Sequence, residues 1–152
     1  MKKILLRSVY DAFDYVMAHY YPAGLEEFAE KRDSYVVISI QDTHTKGFGF
    51  VFKENLFCKG VLTLFFDDIE KEVDGAVLFS KEQADRIISF IEAHRDADTL
   101  LVHCYGGESR SRAVAAFAAK MLGGDEKDFL DKGHANRWVY ETLIEEKKNI
   151  SN

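Results

Sequence analysis

Between Thr99 and Leu122 the chain changes character twice within one short span. Residues 99–102 (Thr-Leu-Leu-Val) form a brief apolar run of β type, residues 103–111 read His-Cys-Tyr-Gly-Gly-Glu-Ser-Arg-Ser, and residues 111–122 carry the small and apolar composition of a buried helix, closed by Gly123-Gly124. A strand that passes through a tight glycine-bearing turn directly into a helix is a βα unit. Units of this kind build parallel sheets covered by helices, and their turns lie beyond the carboxyl ends of the strands, where ligands bind. Backbone N–H groups in such a turn face inward, and the dipole of the following helix adds positive potential. The turn is therefore a cradle for a tetrahedral oxyanion.

The rest of the chain agrees with that frame. Spacing and composition predict strands over 3–9, 35–40 (Tyr-Val-Val-Ile-Ser-Ile) and 61–66, and helices over 11–20, 25–31, 80–94, 125–132 and 136–148. Ser80 is a plausible N-cap, with Gln83 in the capping-box position. Residues 48–52 alternate aromatic with small side chains and read as either a strand or an ordered loop. Pro22-Ala23-Gly24 breaks the first helix, and 67–75 is an acidic loop. Strands alternating with helices imply an α/β fold, with a mostly parallel central sheet flanked by helices. At 152 residues, with one proline and no internal repeat, the expectation is a single domain over 1–152.

Composition narrows the partners. A net charge of −6 disfavours general binding to nucleic acid or to anionic membranes. No stretch approaches the ~20 apolar residues of a membrane span. Arg7 interrupts the first apolar run too early for a signal peptide. Two cysteines, Cys58 and Cys104, do not form a secreted disulfide framework. A reducing cytoplasm fits and would keep Cys104 a thiol. No His, Cys and carboxylate cluster has metal spacing, so neither metal nor other cofactor is expected.

Chemistry concentrates in the cradle. Cys104 stands at its floor as a nucleophile. Thiols near pKa ~8.5 are mostly protonated at neutral pH, and helix N-termini with nearby cations are the surroundings that ionise them. Arg110 offers a planar fork matched to phosphate. Gly106 and Gly107 are expected to permit positive φ and close backbone approach. Ser111 either caps the helix or hydrogen-bonds the sulfur, where it would stabilise a leaving thiolate. His103 is expected to brace the turn, and Tyr105, Gly106, Gly107, Glu108, Ser109 and Arg110 together form the oxyanion-binding loop. Cys58 is expected to be a buried apolar residue, with a protective disulfide to Cys104 as the alternative. Asp42, His44 and Phe48 lie on a loop that would line the mouth or simply be solvated. His134, Asn136 and Arg137 stand before the last helix, where they could approach the site, though Asn136 reads first as a helix cap.

The pattern His-Cys-x-x-Gly-x-x-Arg-Ser resembles the active-site motif of the cysteine-dependent protein tyrosine phosphatase superfamily, matched here at His103, Cys104, Gly107, Arg110 and Ser111. Short length and the position of the motif resemble the compact dual-specificity branch, most of all the small bacterial predicted protein tyrosine phosphatases. The likeness runs roughly from residue 35 to 122. It implies a protein-tyrosine-phosphatase-like fold and phosphomonoester hydrolysis through a cysteinyl-phosphate, on a phosphorylated protein or a small phosphate ester. It also implies a general acid on the loop after the strand at 61–66. Asp68 is the first choice, the adjacent Asp67 a supporting or alternative residue, and Asp74 a third candidate. Glu108 would repel a polyanionic head group and so disfavours lipid phosphates. Two other functions remain open: a catalytically silent phosphoresidue-binding module, and another cysteine enzyme acting on an oxyanion, for which Cys58 would be the resolving thiol.

Overall fold

The computed structural model describes residues 1, 3–21, 33–44 and 51–151. Four strands, β1 (Lys3–Ser8), β2 (Tyr35–Gln41), β3 (Cys58–Phe65) and β4 (Thr99–Cys104), form one sheet in the order β1-β4-β2-β3. Every pairing in it is parallel. Among the described residues five helices accompany them: α1 (Val9–Tyr20), α2 (Lys81–Ala93), α3 (Arg110–Met121), α4 (Lys127–Leu130) and α5 (Arg137–Ser151).

Side-chain alternation along the strands divides the core in two. Val36, Ile38 and Ile40 of β2, Leu62 and Leu64 of β3, and Leu100, Val102 and Cys104 of β4 face the layer made by α2, α3 and α5. Tyr35 and Val37 of β2 and Leu101 of β4 face the other way, onto Ala12, Val16 and Tyr20 of α1. The interior strands β2 and β4 are buried along their whole length, as a parallel sheet covered on both faces requires. On β3, an edge strand, buried positions alternate with more open ones.

Several element boundaries differ from the sequence reading for identifiable reasons. Val9 starts a helix instead of ending a strand, because the Ser8 hydroxyl accepts a hydrogen bond from Asp11 N–H at 3.2 Å and caps α1. β3 begins at Cys58, three residues earlier than expected, since pairing with Tyr35 carries it past Lys59 and Gly60. α4 is one short turn, not a helix over 125–132. The helix expected over 80–94 is present with both halves of its capping box formed by Ser80 and Gln83. The helix expected over 25–31 lies outside the described residues. So does the segment 48–52, except for Val51 and Phe52, which are not in a strand. Among the described residues no helix is long and apolar enough to cross a membrane.

Candidate active site

The cradle forms where β4 ends between two neighbours. Cys104 is level with Ser8 at the end of β1, and the chain then turns over that junction before entering α3. Gly107 makes this turn possible. Its φ is +70°, and a Cβ there would stand 2.6 Å from the backbone carbon of Arg7 and from the nitrogen of Ser8. No L side chain fits that approach. Gly106 differs from expectation: it has no positive φ, and a Cβ there would meet nothing within 4 Å. The motif needs one glycine, and the second is incidental to the backbone. Ser109 and Arg110 then begin α3, which aims its N-terminal end at the turn.

Cys104 is buried at the bottom of this loop, 3% exposed, with its Sγ 3.0 Å from Ser111 Oγ. Ser111 is fully buried in the first turn of α3, so the hydroxyl serves the sulfur instead of capping the helix. Arg110 is 6% exposed. Its Nη1 donates to the Phe66 carbonyl at 2.8 Å and lies 2.7 Å from Asp42 Oδ1. Its Nε is buried with no hydrogen-bond partner among the described residues. An orphaned charged donor costs folding free energy, about 1–3 kcal/mol or more, unless an anion takes it up. The side chain is thus anchored by one nitrogen, with hydrogen-bonding capacity left over on the guanidinium.

His103 is fully buried, its ring centroid 5.3 Å from that of Phe52. Burial pushes its pKa down to about 4, against a smaller upward pull from the Cys104 carbonyl. The contact of its Nδ1 with that carbonyl, at 3.4 Å, requires the proton on Nδ1. A neutral imidazole in a fixed tautomer thus stands against the backbone carbonyl of Cys104. Tyr105 is half-exposed and stands edge-on to Tyr10, with ring centroids 6.4 Å apart. Glu108 is open to solvent and pairs loosely with Arg112 at 3.5 Å.

The two adjacent aspartates have separate fates. Asp67 is buried, and its carboxylate accepts hydrogen bonds from the Thr43 hydroxyl at 2.7 and 2.8 Å, from Val77 N–H at 2.7 Å and from Thr43 N–H at 3.3 Å. Burial alone would raise its pKa. These donors, with His44 at 3.7 Å, outweigh burial and lower it. It is a structural carboxylate that knots the loop after β2 to the loop after β3. Asp68 is exposed to solvent. Its Oδ1 accepts from the Ser109 hydroxyl at 2.9 Å and from the Asn136 side-chain amide at 2.9 Å. Asp74 is exposed in the turn beyond.

Two participants were not assigned their parts from sequence. Asp42, expected only at the mouth, is the carboxylate partner of Arg110. Asn136, expected first as a cap and otherwise as a residue approaching the site, does both: it caps α5 and reaches Asp68. Sequence offers a weak signal for Asp42, a carboxylate just past the end of a buried strand.

Cys58 is far from this chemistry. It pairs with Tyr35, which pairs with Thr99, so it is level with the start of β4 while Cys104 ends that strand. The strand rise alone separates them by roughly 16 Å. A disulfide tolerates at most about 7 Å between Cα atoms, so a Cys58–Cys104 bridge does not form in this fold. Burial raises the pKa of the Cys58 thiol and keeps it inert. Among the described residues no three His, Cys, Asp or Glu side chains gather as metal ligands.

No family model and no curated protein sequence matches the chain. Solved structures do. Human tyrosine phosphatase-like serine/threonine/tyrosine-interacting protein superposes with a TM-score of 0.53 at 16% identity, over 78% of this chain and 80% of its own. PTPMT1, solved in complex with PI(5)P, superposes with a TM-score of 0.53 at 15% identity, over 98% of this chain and 92% of its own. Identities this low speak for architecture. With its parallel sheet and its cysteine-bearing turn beyond β4, the chain has the fold of the protein tyrosine phosphatase superfamily.

Proposed function

We propose that the chain is a cysteine-dependent phosphatase that hydrolyses phosphomonoesters through a cysteinyl-phosphate. The observation that carries this is the joint placement of Cys104 Sγ against Ser111 Oγ and of a buried Arg110 with an unpartnered Nε, at opposite ends of one seven-residue stretch of backbone at a helix N-terminus. The Cys104 thiolate attacks phosphorus in line and forms the S–P bond. As the ester P–O bond breaks, Asp68 gives its proton to the departing oxygen. Water then attacks the phosphocysteine, Asp68 takes a proton from it, and the S–P bond breaks to release inorganic phosphate and the thiolate. Ser111 donates to the sulfur at that moment. The backbone amides of the loop and Arg110 hold the equatorial oxygens throughout.

The substrate is a phosphorylated protein or a small phosphate ester. Solution of PTPMT1 with PI(5)P supports a phosphate ester in this fold, while the exposed carboxylate of Glu108 weighs against densely anionic head groups. Turnover of p-nitrophenyl phosphate by the intact chain tests the proposal, with Cys104→Ser and Arg110→Lys as controls. Cys104→Ser abolishes turnover and retains vanadate binding. Arg110→Lys loses both rate and affinity, because an ammonium does not span two oxygens. Binding of phosphotyrosine without any turnover by the unaltered chain would instead identify a phosphoresidue-binding module.

A further inference from the structure

The loop that carries Asp68 is held by the first turn of α5 at several points. Asn136 Nδ2 donates to Asp68 Oδ1 at 2.9 Å and lies 3.1 Å from the Ile69 carbonyl. Arg137 N–H donates to Glu70 Oε1 at 2.8 Å. Trp138 Nε1 donates to the Phe79 carbonyl at 2.8 Å, at the far end of the same loop. This turn also grips the phosphate loop, since Asn136 N–H donates to the Ser109 carbonyl at 3.1 Å. Ser109 closes the circuit by donating its hydroxyl to Asp68 Oδ1.

Asn136 is the hub of this arrangement. It is 1% exposed, and its Oδ1 accepts from Val139 N–H at 3.0 Å, which caps α5. The side-chain amide therefore spends its acceptor on the helix and its donors on the acid loop. Capping fixes the rotamer, so the N–H that reaches Asp68 is aimed before any substrate arrives. Both donors, Ser109 and Asn136, converge on Oδ1, which leaves the other carboxyl oxygen to carry the transferable proton.

We infer that Asn136 and Ser109 are positioning residues for the acid, fixing the Asp68 carboxyl over the cradle with Oδ1 engaged and Oδ2 presented to the ester oxygen. This rests on Asp68 acting as the acid in the proposed hydrolysis. Misplacing a general acid should slow esters with poor leaving groups, which need its proton, and spare those with good ones.

The experiment compares phenyl phosphate with p-nitrophenyl phosphate in Asn136→Ser, Ser109→Ala, Asp68→Asn and the Asp68→Asn/Asn136→Ser double variant. Serine keeps the α5 cap, being as good an N-cap as asparagine, but it is too short to bridge to Asp68. Asn136→Ser is expected to lose roughly tenfold or more in kcat on phenyl phosphate and no more than about twofold on p-nitrophenyl phosphate. Added to Asp68→Asn, it should cost nothing further. Equal losses on both esters, or losses that add in the double variant, would overturn the positioning role and leave Asn136 a structural cap. If Asn136→Ser fails to fold, Ser109→Ala decides through the same ester dependence, because it leaves the α5 cap intact. Should Asp68→Asn itself show no dependence on the leaving group, the acid assignment fails, and the positioning role falls with it.

Discussion

Two pairs of neighbouring residues show how little distance in sequence says about role. Gly106 and Gly107 look alike, but only Gly107 combines a positive φ with backbone 2.6 Å from where its Cβ would be. Gly107→Ala is expected to lose about 1–3 kcal/mol of stability and most aryl-phosphate turnover. Gly106→Ala should stay within about 0.5 kcal/mol of the parent in urea unfolding. Asp67 and Asp68 divide in the same way. Asp67→Asn forfeits charge-assisted bonds from Thr43 and Val77 and should lower stability by about 1–3 kcal/mol. Asp68→Asn should leave the unfolding midpoint in place and cut kcat on phenyl phosphate by roughly 10²–10⁴. Parallel urea titrations and steady-state rates on the four variants check all of this. A larger catalytic loss in Asp67→Asn, with stability intact, would move the acid by one residue.

At the scale of elements, legibility followed the locality of the cause. The strand at 35–40 was plain because β2 is buried on both faces and so reads as an unbroken β-branched run. α2 was legible to its cap, because Ser80 and Gln83 bond within one turn. Ser80→Ala should therefore lower stability by about 1 kcal/mol, read as a drop in melting temperature, with turnover unchanged. What local pattern missed depends on partners distant in the chain. β3 starts early because Tyr35 holds Cys58 by pairing. The Asp42–Arg110 ion pair arises only because β2 and β4 end side by side. Asn136 and Asp68 meet through the packing of α5 beside the loop after β3. The cradle itself was legible for the opposite reason: Cys104, Gly107, Arg110 and Ser111 fall within one strand-turn-helix segment, where spacing alone decides geometry.

For the molecule as a whole, the site and the fold share one acid sensitivity. His103, next to Cys104 in β4, is fully buried, and its pKa falls from an ordinary 6.5 to about 4. Between those values the unfolded chain binds a proton that the folded chain refuses, so stability falls as pH falls through this window. The shift corresponds to about 3 kcal/mol, fully lost near pH 4. Asp67 acts in the next window down. Its lowered pKa contributes stability above the ordinary carboxylate value of 3.8 and loses it as pH falls further. Acid unfolding is thus expected in two stages, the imidazole first and the carboxylate after it. His103→Asn keeps a donor for the Cys104 carbonyl and removes the titration. Its urea midpoint should change little between pH 6.5 and 4, where the parent declines steeply. A parent midpoint that is flat over this range would show that His103 takes up its proton in the folded state and would overturn the lowered pKa of the buried imidazole.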